Sequence, residues 1–232
     1  AGRRACENPL GRNLILHFKR QITTNLQGIP MARTEKLFAT TLYRAKLPAR
    51  LNRELLEAAV AVAAEDKAGR NWSRAHHYKG YTSCASLNDL PRRAPAFEAL
   101  HKILDGHVAA FSRQVQFDLH GRPLVLDSLW INLLRKGGIH APHIHPHAAV
   151  SGTCYVRMPK GSSAIRFEDP RLGLMMAAPP RQAGARMENR NFISVAPEDG
   201  MILLWESWLR HGVETHAARE DRISISFNYR LD

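Results

Sequence analysis

Cysteine is scarce in this sequence of 232 residues: there are three, Cys6, Cys84 and Cys154, odd in number and far apart. A disulfide framework is therefore excluded, and a reducing compartment such as the cytoplasm is favoured. No run of about 18 apolar residues occurs, so no membrane span is expected. Acidic residues are also few, 21 Asp+Glu against 33 Lys+Arg, for a formal charge of +12. Yet the basic residues cluster no further than pairs such as Arg3-Arg4, Lys19-Arg20, Arg92-Arg93 and Arg135-Lys136. No aromatic residues interleave with them, so no motif supports a nucleic-acid groove. Solvated surface is the plain reading of most of this charge, and an anionic substrate or cosubstrate is the sharper one. No repeat of 20 to 50 residues marks a solenoid or propeller. What remains, 44% apolar and 23% charged residues, is ordinary globular usage for one domain.

Residues 1–30 stand apart. They hold five Arg/Lys against the single acid Glu7, with one short apolar run, Leu14 to Phe18. We read them as a basic extension, disordered or upstream of the true start, and residues 31–232 as the folded domain.

Within that domain Phe38 to Leu47 reads as a first strand. Leu51, Leu55 and Val62 predict a helix over 51–67, closing near Gly69. Residues 71–93 read as a loop. Phe97, Leu100, Leu104, Val108 and Phe111 recur at helical spacing and predict a second helix over 94–117, packed on a core. Short β-type runs follow, at 124–134, 150–158, 163–167, 191–195, 201–205 and 222–229. Helices followed by evenly spaced strands imply helices on one face of a β-sandwich or jelly roll, a mainly β fold with flanking helices. The stretch from Pro170 to Arg190 is longer than most connections and is a candidate lid. Cys154, inside a predicted strand, reads as packed core.

Four of twelve histidines fall within eight residues: His140, His143, His145 and His147. In an extended segment residues two apart face the same way, so His143 and His145 can meet one metal ion. His211, just past the strand 201–205, is the candidate third ligand. Imidazole suits Fe, Zn, Cu and Ni alike, so the ligand type leaves the metal open. A solvated role serves His140 and His147 as well as a supporting one, and His76 and His77 are given no role.

The segment Arg222 to Tyr229 alternates strictly. Ile223, Ile225, Phe227 and Tyr229 form one face; Arg222, Ser224, Ser226 and Asn228 form the other. A solvated polar face is the plain reading. If that face instead lines an interior, the Arg222 guanidinium with the Ser224 hydroxyl beside it is a receptor for a carboxylate.

Together these residues resemble the iron(II)- and 2-oxoglutarate-dependent oxygenases, and more closely a bacterial branch of putative members. The likeness lies in His143-Ile-His145-Pro146 followed by Ser151 to Val156. It continues in Phe167 to Arg171, Trp208 to Val213 and Arg222 to Asn228, and it runs from about Met31 to the C-terminus. The resemblance implies a double-stranded β-helix (a jelly roll, cupin-like barrel). It implies a dioxygenase that uses Fe(II), 2-oxoglutarate and O2, oxidises or hydroxylates a substrate and releases succinate and CO2. His143, His145 and His211 then hold the metal. Arg222 and Ser224 bind the far carboxylate of 2-oxoglutarate, with Tyr155 and Asn132 as further contacts. The departure is His145, where most of the superfamily has a carboxylate.

Two other readings share the histidines. A cupin-like enzyme would not use 2-oxoglutarate, and its motif usually carries a Glu shortly after the His-x-His, where this chain has Pro146, His147, Ala148 and Ala149. A non-catalytic metal-binding or sensor domain would not need Arg222 and Ser224. The substrate, a small molecule or peptide, is not specified by the sequence, and neither is the oligomeric state, although exposed helices flanking such barrels commonly form a homodimer.

Overall fold

The computed structural model describes residues 33–232. The expected extension, residues 1–30, lies outside them. The chain divides into two units, Ala1–Ala39 and Thr40–Asp232. In the first unit the described residues, 33–39, are neither helix nor strand. The elements belong to the second unit.

Its helices are α1 (Ala49–Glu65), α2 (Lys67–Ala75), α3 (Leu90–Arg93) and α4 (Pro95–Gln114). Its strands are β1 (Tyr43–Lys46), β2 (Gly80–Thr82), β3 (Leu124–Leu134), β4 (His140–His143) and β5 (Val150–Arg157). They continue as β6 (Ile165–Glu168), β7 (Phe192–Val195), β8 (Met201–Glu206), β9 (His211–Val213) and β10 (Arg222–Leu231). Six strands form one sheet in the order β1-β8-β5-β10-β3-β2, and four form a second in the order β4-β9-β6-β7. All pairings are antiparallel. The sandwich of two sheets with helices on one face is the jelly roll that the order of elements predicts.

Side-chain alternation explains the layers. In β10, Ile223, Ile225, Phe227 and Tyr229 are fully buried in one cluster with Leu55 of α1 and Phe97, Leu100, Leu104 and Phe111 of α4. The same cluster takes Val150, Cys154 and Val156 of β5 and Ile202 and Leu204 of β8. Their neighbours of opposite parity turn the other way. Tyr155, Leu203 and Trp205 pack with Ile165 and Phe167 of the small sheet in a second cluster. A period of two thus feeds two cores from one sheet. The helix stripe read from the sequence is core packing, and Cys154 is part of it.

Several boundaries differ from the sequence reading. The first strand is only Tyr43–Lys46, the stretch that β8 pairs, opposite Met201 to Leu204. Phe38 has a φ of +58°, which no strand accepts. The helix predicted to run to residue 67 stops at Glu65, and a second helix occupies part of the predicted loop. Only Gly69 and Ser73 of α2 are buried, so no apolar stripe announced it. The strands β2, β4 and β9 also went unseen. Each has three or four residues and owes its existence to a partner distant in the chain. The 169–191 connection holds two single 3₁₀ turns and is largely exposed. No helix among the described residues is long and apolar enough to cross a membrane.

Asp66 makes the break between α1 and α2. Its carboxylate caps α2 by accepting from the Gly69 N–H at 2.9 Å, and it also accepts from the hydroxyls of Tyr81 at 2.9 Å and Ser86 at 2.6 Å. A Cβ on Gly69 would lie 2.2 Å from Asp66 Oδ2, so only glycine allows this closure. Burial opposes the charge on Asp66, but its three donors prevail and hold the carboxyl below the ordinary range. Asp66→Ala is expected to cost about 1–3 kcal/mol at pH 7, a lost cap plus two stranded hydroxyls. A depressed carboxyl stabilises above its unfolded pKa of about 4 and ceases to as the pH falls through the folded value. The difference between wild type and variant should therefore shrink in acid. Urea unfolding at pH 7 and pH 3 checks this; an equal loss at both would refute it.

Candidate active site

The small sheet brings two histidines together by register. β4 and β9 pair antiparallel with His143 opposite His211. Gly212 makes the approach possible, since a Cβ there would lie 2.8 Å from the His140 carbonyl oxygen. His145 lies two residues past the end of β4, its backbone N–H donating to the Ser207 carbonyl at 3.1 Å. The His-x-His spacing predicts both imidazoles on one extended segment. In the structure the strand ends between them, and Ser207 supplies the second anchor.

The three rings converge. Their centroids are 4.9 Å apart for His143–His145, 4.5 Å for His143–His211 and 5.3 Å for His145–His211. One nitrogen from each lies within 4.8 Å of the others, the only such metal-binding set among the described residues. Two rings are oriented from behind. The Nδ1 of His143 is 2.7 Å from the Ala141 carbonyl and that of His211 is 2.9 Å from the Leu209 carbonyl. A proton on Nδ1 donates to each carbonyl and leaves Nε2 as the free donor atom.

His145 is held differently. Its Nδ1 is 3.4 Å from the Asn228 amide nitrogen. The amide is fixed by the Ser151 hydroxyl at 2.8 Å and the Ser128 hydroxyl at 3.1 Å. Hydroxyls both donate and accept, so turning this amide over keeps both partners and lets Asn228 accept the Nδ1 proton. Asn228 is thus a positioning residue for His145. The sequence reading left it unassigned, although it shares the polar face of β10 with Arg222.

Burial keeps His145 and His211 neutral, as metal ligands must be. It lowers the pKa of His211 to about 3 and that of His145 to about 4, with further repulsion from His143 in both cases. His140, also driven down to about 3 by burial and then by Arg222, stays outside the triad. Its Nε2 is 2.7 Å from the Tyr78 hydroxyl. His147 is exposed, as its solvated reading required, and exposed His76 stacks on Trp72.

Across the same cavity, of about 490 Å³, lie Arg222, Ser224, Tyr155 and Asn132. The polar face of β10 lines the interior and does not meet bulk water: Arg222 and Ser224 are each 2% exposed. The guanidinium donates from Nη1 to Ser224 Oγ at 3.1 Å and lies 5.1 Å from the Tyr155 ring centroid. Its Nε and the Tyr155 hydroxyl are both buried without a hydrogen-bond partner. Burial pushes the Tyr155 hydroxyl up to about 12 and lowers the Arg222 pKa. Among the described residues no Asp or Glu lines the cavity. Asn132 donates to Ser226 Oγ at 3.2 Å, which commits part of its amide to the wall.

An unpaired buried cation is costly, and the orphaned Tyr155 hydroxyl beside it adds to the cost. An anion entering between Arg222 and Tyr155 would satisfy both. The donor set opposite, three imidazole nitrogens with room beside them, suits a divalent first-row ion. The residues present therefore fit both groups: the three histidines would hold a metal, and Arg222 with the Tyr155 hydroxyl would hold a carboxylate.

Comparison with known proteins agrees. Residues 128–228 match the family described as putative 2OG-Fe(II) oxygenase. No curated protein matches significantly. Among solved structures, the chain is similar to a prolyl-4-hydroxylase from Pseudomonas putida at a TM-score of 0.54 and 16% identity, over 83% of this chain and 89% of that one. It is similar to HygX from Streptomyces hygroscopicus, solved with nickel and 2-oxoglutarate, at 0.55 and 16%, over 82% and 83%. It is similar to the epimerase SnoN, solved with Fe3+, alpha ketoglutarate and nogalamycin RO, at 0.57 and 17%, over 82% and 79%. At such identities the likeness carries the fold alone. The family match spans less than half of the chain, the segment that holds all three histidines and Arg222.

Proposed function

We propose that the protein is an iron(II)- and 2-oxoglutarate-dependent dioxygenase that oxidises, in the simplest case hydroxylates, an organic substrate and releases succinate and CO2. One observation carries the reading: a convergent histidine triad and a buried, unpaired arginine face each other across a single acid-free cavity. His143, His145 and His211 would hold the iron. Arg222, with Ser224 and the orphaned Tyr155 hydroxyl, would anchor the far carboxylate of the cosubstrate. When bound, iron and cosubstrate supply the activation of O2.

The protein's own part is orientation and exclusion of water. The carbonyls of Ala141 and Leu209 fix two imidazoles, and Asn228 steers the third. Trp205 packs against His211 with ring centroids 4.7 Å apart and closes one side of the triad. Trp130, 5.9 Å from His145, lies along the wall left for substrate. The exposed 169–191 connection is our candidate for a substrate cover. A third histidine in the carboxylate position leaves the donor set without negative charge, so the iron site is one unit more positive than with two histidines and an acid. That favours an anionic cosubstrate and weakens retention of the ion.

Anaerobic titration of the apo-protein with Fe(II) and 2-oxoglutarate tests the proposal. A weak visible charge-transfer band, followed by succinate on admission of O2, is expected. Bound iron without the band would sink the 2-oxoglutarate reading and favour a cupin-like or non-catalytic protein.

A further inference from the structure

A second cavity, of about 560 Å³, opens between α1, α2 and the β2–β3 edge. Arg70, Arg74, Lys79 and Arg135 line it, together with apolar residues that include Val60 and Leu133, and no Asp or Glu does. We propose that this cleft binds an organic phosphate of about mononucleotide size. The proposal does not depend on the oxygenase reading.

Like charges are placed here where chain geometry makes them repel. Arg70 and Arg74 are four apart on α2 and so share a face of it. Lys79 and Arg135 directly follow the paired residues Gly80 and Leu134 outward along the β2–β3 ladder, and Arg135 N–H donates to the Lys79 carbonyl at 2.9 Å. Like charges opposite one another in an antiparallel pair destabilise it. Two like-charged pairs facing one cavity make it strongly positive, and an anion would offset that charge.

No acidic side chain among the described residues does so. Arg74 donates only to Asn71 Oδ1, at 3.1 Å. Lys79 Nζ stands over the turn at Gly137, 3.2 Å from where a Cβ there would sit. Asp66, behind the cavity wall, is already occupied by Gly69, Tyr81 and Ser86. Arg70 is different: it donates to the Ala63 carbonyl at 2.8 Å and to that of Ala64, the open end of α1. That contact pre-orients its guanidinium and lowers the entropy lost on binding.

The ligand class follows from this lining. Several guanidinium and ammonium donors converging from different elements match the oxygens of a phosphate dianion. The volume exceeds a bare phosphate and lies within the usual range for small ligands, and the apolar wall suits an organic portion.

The test is calorimetric titration of the full chain with AMP, in EDTA and low salt, with adenosine as the uncharged control. AMP should bind and adenosine should not. Arg74→Ala/Lys79→Ala/Arg135→Ala should weaken AMP at least tenfold; all three side chains are exposed, so the fold should survive. Arg53→Ala/Lys160→Ala/Arg219→Ala removes the same charge from exposed sites elsewhere and should change affinity less than twofold. Absence of AMP binding at millimolar concentration would overturn the proposal. So would equal loss in both triple variants, or binding of adenosine. AMP binding that survives the cleft variant but is lost in Arg222→Met would place the anion in the oxygenase cavity and overturn it too.

Discussion

Replacement of His211 by alanine is expected to weaken iron(II) binding by more than about 100-fold and to abolish succinate formation. Outer groups that merely orient a metal ligand are worth about 10- to 100-fold, and a ligand is worth more. His211 is 5% exposed and packs on Trp205 and Phe167, so its loss also leaves a void. The fold should nonetheless persist, because β9 is held to both β4 and β6 through its backbone. Two further variants give the measurement its scale. Asn228→Ala should lie between, near tenfold, because it frees the His145 ring while leaving it present. His147→Ala should match wild type, because that ring is exposed and outside the triad. Iron competition assays on the four proteins would show the order; a His211→Ala protein that retains iron normally would remove this residue from the site.

Arg222→Met should make the apo-protein more stable and the enzyme inactive. The guanidinium is 2% exposed, has no carboxylate beside it, and leaves Nε unpartnered. Methionine matches much of its length, removes the desolvated charge, and strands only the Ser224 hydroxyl. Replacing buried charge by apolar groups commonly gains about 1–4 kcal/mol. For a domain of this size that is a rise of several degrees in Tm. Saturating 2-oxoglutarate with a redox-inert divalent ion should narrow the gap, and reverse the ranking where the apo gain is below about 2.7 kcal/mol. The cosubstrate at 100 times its dissociation constant adds about that much to wild type and little to the variant, while the ion, held by the intact histidines, stabilises both. Thermal melts of both proteins with the ion alone and with both ligands would display the difference. A variant less stable than wild type without ligand would show that Arg222 is already satisfied in the apo-protein.

Much of this site was legible in the chain because it obeys a short period. His143 and His145 are two apart, and Arg222, Ser224, Ser226 and Asn228 alternate with a fully apolar set. Any fold that buries one face of that strand must decide where the other face goes. The helix stripe from Phe97 to Phe111 was legible for the same reason, at its own period. Asn228 could have been found from that alternation, since it lies on the arginine's side of the strand. Tyr78, Ser207 and Trp205 could not. Nothing near them in sequence relates them to the histidines.

The sequence by itself determined the fold class, the strand periodicity, the candidate ligands and the acid-poor character of the chain, since these depend on residue type and on spacing of a few positions. The tertiary structure alone decided that the polar face of β10 looks inward, because a second sheet must cover it before an arginine can be buried there. It also decided that His143 meets His211. That contact rests on β4 and β9, strands too short to form without each other, whose residues lie about 70 apart in the chain. Pairing over such a separation is paid in loop entropy and returned by packing, and no local pattern of residues encodes it.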